Sequence, residues 1–155
     1  MFPVNFLIAE RISCNNAAVS KKRVLEEAAR LLATSTPELT QDMIFDKLLE
    51  RERLGSTGLG QGIALPHARM CGITQACGAF VKLTDAADFD AIDNKPVDLV
   101  FALLVPEDAT QEHLQLLASL ASLFSRADFC SRIRSAQSEE RLLSEFIQQN
   151  QQLSA

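Results

Sequence analysis

Histidine is scarce in this chain: only His67 and His113 occur in 155 residues. Four cysteines, Cys14, Cys71, Cys77 and Cys130, are present, and no Cys-x-x-Cys pair occurs among them. These spacings match no familiar zinc pattern, so the thiols read as reduced and structural, with neither metal nor cofactor expected. Positive charge is also in deficit, with 15 Lys and Arg against 20 Asp and Glu, a net charge of −5 and a pI near 5.0. A nucleic-acid partner would need a basic stripe, and the sequence has none. No apolar run approaches the roughly 20 residues that span a bilayer, which excludes direct insertion by a helix. The opening "MFPVNFLIAER" lacks a basic leader with a long apolar segment and a small-residue cleavage site, so a cytoplasmic location is expected.

What remains is ordinary globular material, 47% apolar and 23% charged, long enough for one domain with a real core. No linker or internal repeat divides the chain, so a single domain over 1–155 is expected. Its core should cover about residues 6–147, with the Gln-rich tail "QQNQQLSA" frayed. A short helix and then a strand near residues 12–14 are expected at the start. Ser20 reads as the N-cap of a helix with Val24, Leu25, Ala28, Leu31 and Leu32 inward. Pro37 ends it, and Thr40 caps a second helix burying Ile44, Leu48 and Leu49, whose "ERER" end runs into water at Gly55. Residues 78–83, "GAFVKL", read as a strand followed by a turn. "VDLVFALLV", 97–105, is apolar and β-branched as a central strand covered on both faces would be. After Pro106, Thr110 caps a helix with Leu114, Leu117, Leu120, Ala121 and Phe124 on one side, and two further helical pieces follow near 127–134 and from Ser138. Helices flanking strands in this order predict a layered α/β domain.

Four of the six glycines fall in the eight residues 55–62, just before Pro66-His67. A nucleotide loop is disfavoured. In GxxxxGK[ST] a lysine must reach the phosphates, and Gln61 stands at its position; Gly58, Gly60 and Gly62 are spaced GxGxG rather than GxGxxG. The glycines instead permit positive φ and close backbone approach, guiding a loop into a short strand "IALP" that presents His67. His113 is placed in the first turn of the helix after the central strand. Ligands collect there in open α/β sheets, and free N–H groups and the helix dipole favour anions while opposing imidazole protonation. Two readings stand for this pair: a site handling phosphoryl groups, or a surface histidine and a satisfied structural one.

The blocks "RERLGSTGLGQGIALPHA" and "FDAIDNKPVDLVFALLVPEDATQEHLQLLASLASLF" together resemble the IIA domain of the bacterial phosphoenolpyruvate-dependent phosphotransferase system, fructose/mannitol type, and within it the nitrogen-regulatory branch. The resemblance implies a mixed β-sheet flanked by helices. It also implies that His67 accepts a phosphoryl group from a histidine-phosphorylated carrier of the HPr type and that His113 helps hold the phosphoryl oxygens. Arg51, whose planar fork suits a dianion, is preferred to Arg53 for the nearby arginine. Ser56 and Thr57 could donate hydroxyls, and a plain turn role is equally open. Ala68-Arg69 replaces the family's usual Gly-Lys, which is expected to restrict the backbone and tilt the imidazole. The role implied is regulatory, toward target proteins that the sequence does not name, with oligomeric state open. A sugar-specific component passing the group to a IIB or permease partner is the alternative, and a binding module that has lost phosphorylation is the third possibility.

Overall fold

The computed structural model describes all residues except Met1, Val4, Ala109 and Ala155, and of Thr110 and residues 150–154 the backbone only. A 3-10 turn at Ala9–Arg11 leads into β1 (Ile12–Asn16), then come helices α1 (Lys21–Ala33) and α2 (Gln41–Leu54). Three short strands follow, β2 (Gly58–Gly60), β3 (Ile63–Ala64) and β4 (His67–Met70), and then two long ones, β5 (Cys77–Ala87) and β6 (Val97–Pro106). Helices α3 (Thr110–Phe124), α4 (Ala127–Ser135) and α5 (Glu139–Ser154) close the chain.

The six strands form one open mixed sheet in the order β1-β5-β6-β3-β2, with β4 also paired to β6. Strand β5 runs antiparallel to β6, and β3 and β4 run parallel to it. β3 and β4 follow one another along the same edge of β6, matching Ile63 to Leu99 and His67 to Leu103. Between them the Pro66 carbonyl still accepts the Leu103 N–H at 3.0 Å. Proline has no N–H to give but loses nothing as an acceptor.

Alternate residues of β6 feed two cores, as expected for a strand covered on both faces. Val100, Ala102 and Leu104 join Val24, Leu25, Leu32, Ile44 and Leu48 from α1 and α2. Leu99, Phe101, Leu103 and Val105 face the other way, into Leu120, Phe124, Phe129, Leu142 and Phe146 from α3, α4 and α5. The second core is aromatic: Phe80, Phe101, Phe124 and Phe146 pack with centroids 5.2 to 6.3 Å apart. Each fully buried Phe contributes roughly 1.5–3 kcal/mol over its exposed state.

Ser20, Thr40 and Ser138 do accept the N–H three residues on, from Arg23, Met43 and Arg141. The Thr110 cap turns on Ala109 and the Thr110 side chain, which lie outside the described residues. Three expectations are corrected. In α3 the buried stripe is Leu116, Leu120, Leu123 and Phe124, while Leu114 is 65% exposed, because the helix is rolled to turn Leu114 away from the sheet. The "ERER" end of α2 is not wholly in water, since Glu52 is buried. β5 runs on to Ala87, where a turn had been expected, and its pairing with β6 shifts register between Lys82 and Ala87. Helix α5 extends to Ser154, and its buried Gln149 accepts from Arg126.

Gly78 on β5 lies under the Phe101 ring, where a Cβ would fall 2.5 Å from Cε1 and 2.6 Å from Cζ. Since the ring is enclosed, Gly78→Ala is expected to destabilise the protein by about 1–3 kcal/mol through overpacking. Urea denaturation measures this, and an unchanged midpoint would show that the aromatic core can yield.

Candidate functional site

The glycine-rich stretch forms a tight hairpin from β2 into β3. Its turn places Gly60, Gln61 and Gly62 at φ of 93°, 58° and 85°. At Gly62 a side chain is doubly excluded, since a Cβ would also stand 2.6 Å from Arg134 Nη2 and 2.7 Å from Asp98 Oδ1. Gly58 is needed for close approach instead, its Cβ position lying 2.8 Å from Ala91 Cβ. The hairpin delivers the chain to Leu65-Pro66, and His67 opens β4 (a strand that the hydropathy pattern does not announce).

Half-buried His67 donates its Nδ1–H to the Leu65 carbonyl at 2.7 Å. Because the partner is a carbonyl, the proton of the neutral ring sits on Nδ1 and the Nε2 lone pair is free. His113, in the first turn of α3, brings its ring to 5.0 Å from the His67 ring, centroid to centroid, edge-on at 81°. Its Nε2 is buried and has no hydrogen-bond partner among the described residues. The two histidines, 46 positions apart (113 − 67), thus form one site.

A cleft of about 620 Å³ opens over the pair, lined also by Lys47, Arg51, Arg69 and Leu114, with Glu50 and Glu107 among its other walls. Arg51 donates from Nη1 to the Gly55 carbonyl at 2.8 Å. It lines the cleft, whereas Arg53 does not. Ser56 is not among the lining residues. Its hydroxyl donates to the Phe89 carbonyl at 2.5 Å and accepts from Gly58 N–H at 3.0 Å, which is turn work. The Thr57 hydroxyl is likewise committed, to Glu52. Lys47 and Arg69 escaped the sequence reading. Lys47 could have been found, since it sits four residues before Arg51 on the same helix face.

Ala68 is paired with Leu104 in regular strand register, and its φ is not positive. Alanine therefore imposes no restriction at this position, contrary to the expected tilt, and its methyl joins the first core.

Burial pushes the His67 pKa below its ordinary value; the hydrogen bond to Leu65 opposes this, Arg51 adds to it and Glu52 opposes it. Burial also lowers that of His113, followed by the facing His67, Arg69 and Arg51. Both shifts favour the neutral ring, through burial first and neighbouring cations as well. The result is a free imidazole lone pair in a cleft with cationic walls.

The open mixed sheet with helices on both faces is the fold of a known family. The chain matches the family model "Phosphoenolpyruvate-dependent sugar phosphotransferase system, EIIA 2" over residues 5–149, and it belongs to that family. It is 52% identical over 123 residues to a nitrogen regulatory protein of Pseudomonas aeruginosa, covering 79% of this chain and 80% of the relative. It is 46% identical over 133 residues to that of Escherichia coli, covering 85% and 78%. Its structure resembles the nitrogen regulatory protein IIA-Ntr of Neisseria meningitidis with a TM-score of 0.85 at 44% identity, over 90% of this chain and 95% of that one. The mannitol IIA of Escherichia coli, with a TM-score of 0.74 at 22% identity over 90% and 97%, shares the fold. No helix is long and apolar enough to cross a membrane among the described residues.

An imidazole with a lowered folded-state pKa binds fewer protons in the native than in the unfolded chain, so stability rises with pH across that window. For His67 and His113 this contribution is complete above the ordinary value of 6.5 and is lost as pH falls below it toward the folded-state values. Between about pH 7.5 and about pH 5.5 the wild type is expected to lose more stability than His67→Gln/His113→Gln, read from denaturation midpoints. Equal losses would mean that the rings titrate as exposed groups do.

Proposed function

We propose that this chain is the phosphoryl-accepting regulatory IIA protein of a nitrogen-related phosphotransferase system, phosphorylated at Nε2 of His67 by a histidine-phosphorylated carrier of the HPr type. One observation carries the reading. The Nδ1–H of His67 is committed to the Leu65 carbonyl, which leaves Nε2 as a nucleophile beside His113. In the transfer the Nε2 lone pair forms the new N–P bond while the donor's N–P bond breaks and its electron pair returns to the donor nitrogen. Nδ1 keeps its proton throughout. Arg51, with Lys47 and Arg69, offers charge to the phosphoryl oxygens, and His113 is within one ring's reach to hold one of them. Ser56 is left out of this set, since its hydroxyl is already used.

The nitrogen-regulatory names of the relatives at 52% and 46% identity support signalling as the role. Adding nearly two negative charges to the cleft would change which proteins dock there, most of all around exposed Leu54 and Leu114. A second reading has its own support. A fructose-specific EIIA component of Haloferax volcanii is 33% identical over 131 residues, covering 84% of this chain and 85% of that one. A sugar-specific protein of that kind would pass the phosphoryl group to a IIB or permease partner. Cytoplasmic residence fits either role.

With phosphoenolpyruvate, enzyme I and the carrier protein, the wild type is expected to gain an acid-labile, alkali-stable phosphate and His67→Ala none. Label on His67→Ala would displace the acceptor. His113→Ala is expected to accept the group, slowed by on the order of tenfold to a hundredfold through loss of one stabilising donor. Wild-type rates in that variant would confine His113 to packing. Deleting the gene should alter nitrogen- or potassium-linked growth, whereas selective loss of fructose or mannitol uptake would favour the second reading.

A further inference from the structure

We propose that Glu52 is a positioning residue for His67, acting through a continuous chain of hydrogen bonds that ends on the imidazole Nδ1. The proposal rests on the reading of His67 as acceptor and deepens it. Glu52 lies on α2 with its side chain 2% exposed, and its carboxylate pairs with Lys21 Nζ at 2.8 Å. Both carboxylate oxygens stand 3.3 Å from the Thr57 N–H, and one also accepts the Thr57 hydroxyl. Thr57, so held, offers its carbonyl to the Leu65 N–H at 3.0 Å. Leu65 in turn offers its carbonyl to Nδ1–H of His67 at 2.7 Å. Lys21 is itself fixed, donating to the Phe89 carbonyl at 3.3 Å and lying 5.5 Å from the centre of the Phe89 ring.

The arrangement does more than brace a turn. Thr57 and Leu65 are buried, so water does not substitute for any link. The last link decides which imidazole nitrogen bears the proton. A ring released from the Leu65 carbonyl would spend part of its time with the proton on Nε2, presenting an N–H to phosphorus where a lone pair is needed. As the new N–P bond forms, the ring retains Nδ1–H and takes on positive charge. The nearby Glu52 carboxylate and the Leu65 carbonyl both stabilise that cation. In Glu52→Gln one acceptor becomes a donor facing Thr57 and Lys21, so the chain loosens at its origin.

The test is Glu52→Gln, read first by nitrogen NMR of the imidazoles with no phosphoryl donor present and then by the rate of labelling. The wild type should hold His67 as a single neutral tautomer with the proton on Nδ1. The variant should show mixed tautomers and accept phosphate on the order of tenfold more slowly, while reaching the same final label. A wild-type tautomer and rate in the variant would overturn the proposal. Lys21→Met/Glu52→Gln removes the ammonium that the single change strands, and it guards against a variant that merely folds poorly. With stability recovered, the double variant should keep both defects, whereas recovery of tautomer and rate together would make Glu52 structural only. The tautomer is read without a donor, so the two proposals separate. A shifted tautomer in Glu52→Gln supports positioning even where the wild type takes no label, an outcome that would sink the acceptor reading alone.

Discussion

Strand β6 is buried on both faces and hydrogen-bonded along both edges, and the rest of the molecule takes its position from it. From Leu99 to Val105 its odd residues anchor the aromatic core and its even ones the aliphatic core, so neither helical layer can be displaced without stripping the strand. The same strand assembles the functional cleft by two independent routes. His67 is placed by register, opposite Leu103 along one edge. His113 is placed by succession, in the first turn of the helix that β6 feeds past Pro106. Two side chains far apart in sequence therefore meet with little freedom between them, because the parallel pairing and the strand's own end are rigid on the scale of a ring contact.

The two buried cations, Arg11 and Lys82, follow one rule. Each is sealed in and discharged onto uncharged oxygen: Arg11 onto the carbonyls of Gly78 at 2.8 Å and Phe6 at 3.0 Å, Lys82 onto that of Ala136 at 2.6 Å. Such cations tie distant segments together, and their fields are spent locally. The buried carboxylates differ: Glu145 pairs with Arg132 at 2.9 Å and Glu52 with Lys21 at 2.8 Å, and Glu52 alone of the two stands one hydrogen-bonded path away from the imidazole. The cations of the cleft are placed differently, on half-buried or exposed ground where a mobile anion can reach them.

What could be read in advance followed from periodicity and from capping chemistry, both local. The almost unbroken apolar run of β6, the hydroxyl caps of Ser20 and Thr40 and the inward faces of α1 and α2 are properties of a few neighbouring residues, and each is present as expected. The pair of histidines was legible too, since His67 ends a glycine-rich run and His113 opens a helix. What escaped depends on partners far along the chain. β4 exists because β6 offers it an edge, and nothing in "HARM" signals a strand. Leu114 fits the helical spacing of a core residue, yet the roll of α3 against the sheet turns it outward. Glu52 looks like one charge in a solvated run until Lys21 and Thr57, from elsewhere, close over it. The use of the Ser56 hydroxyl was hidden for the same reason, since it is spent on the Phe89 carbonyl, 33 residues away.

Under the proposed reading the cleft must meet two demands that conflict in water: a histidine must be uncharged to attack, and its surroundings must be charged to receive a dianion. Arg51 and Arg69 reconcile them, because a positive field that makes protonation of an imidazole costly is the same field that attracts phosphoryl oxygens. Burial adds to both effects, since lowering the local dielectric raises the cost of an imidazolium and strengthens each contact to an anion. The unpartnered Nε2 of His113 belongs to this balance. A buried nitrogen without a hydrogen bond costs roughly 1–3 kcal/mol, and under the proposed reading the oxygen of an incoming phosphoryl group is the partner that would remove the cost.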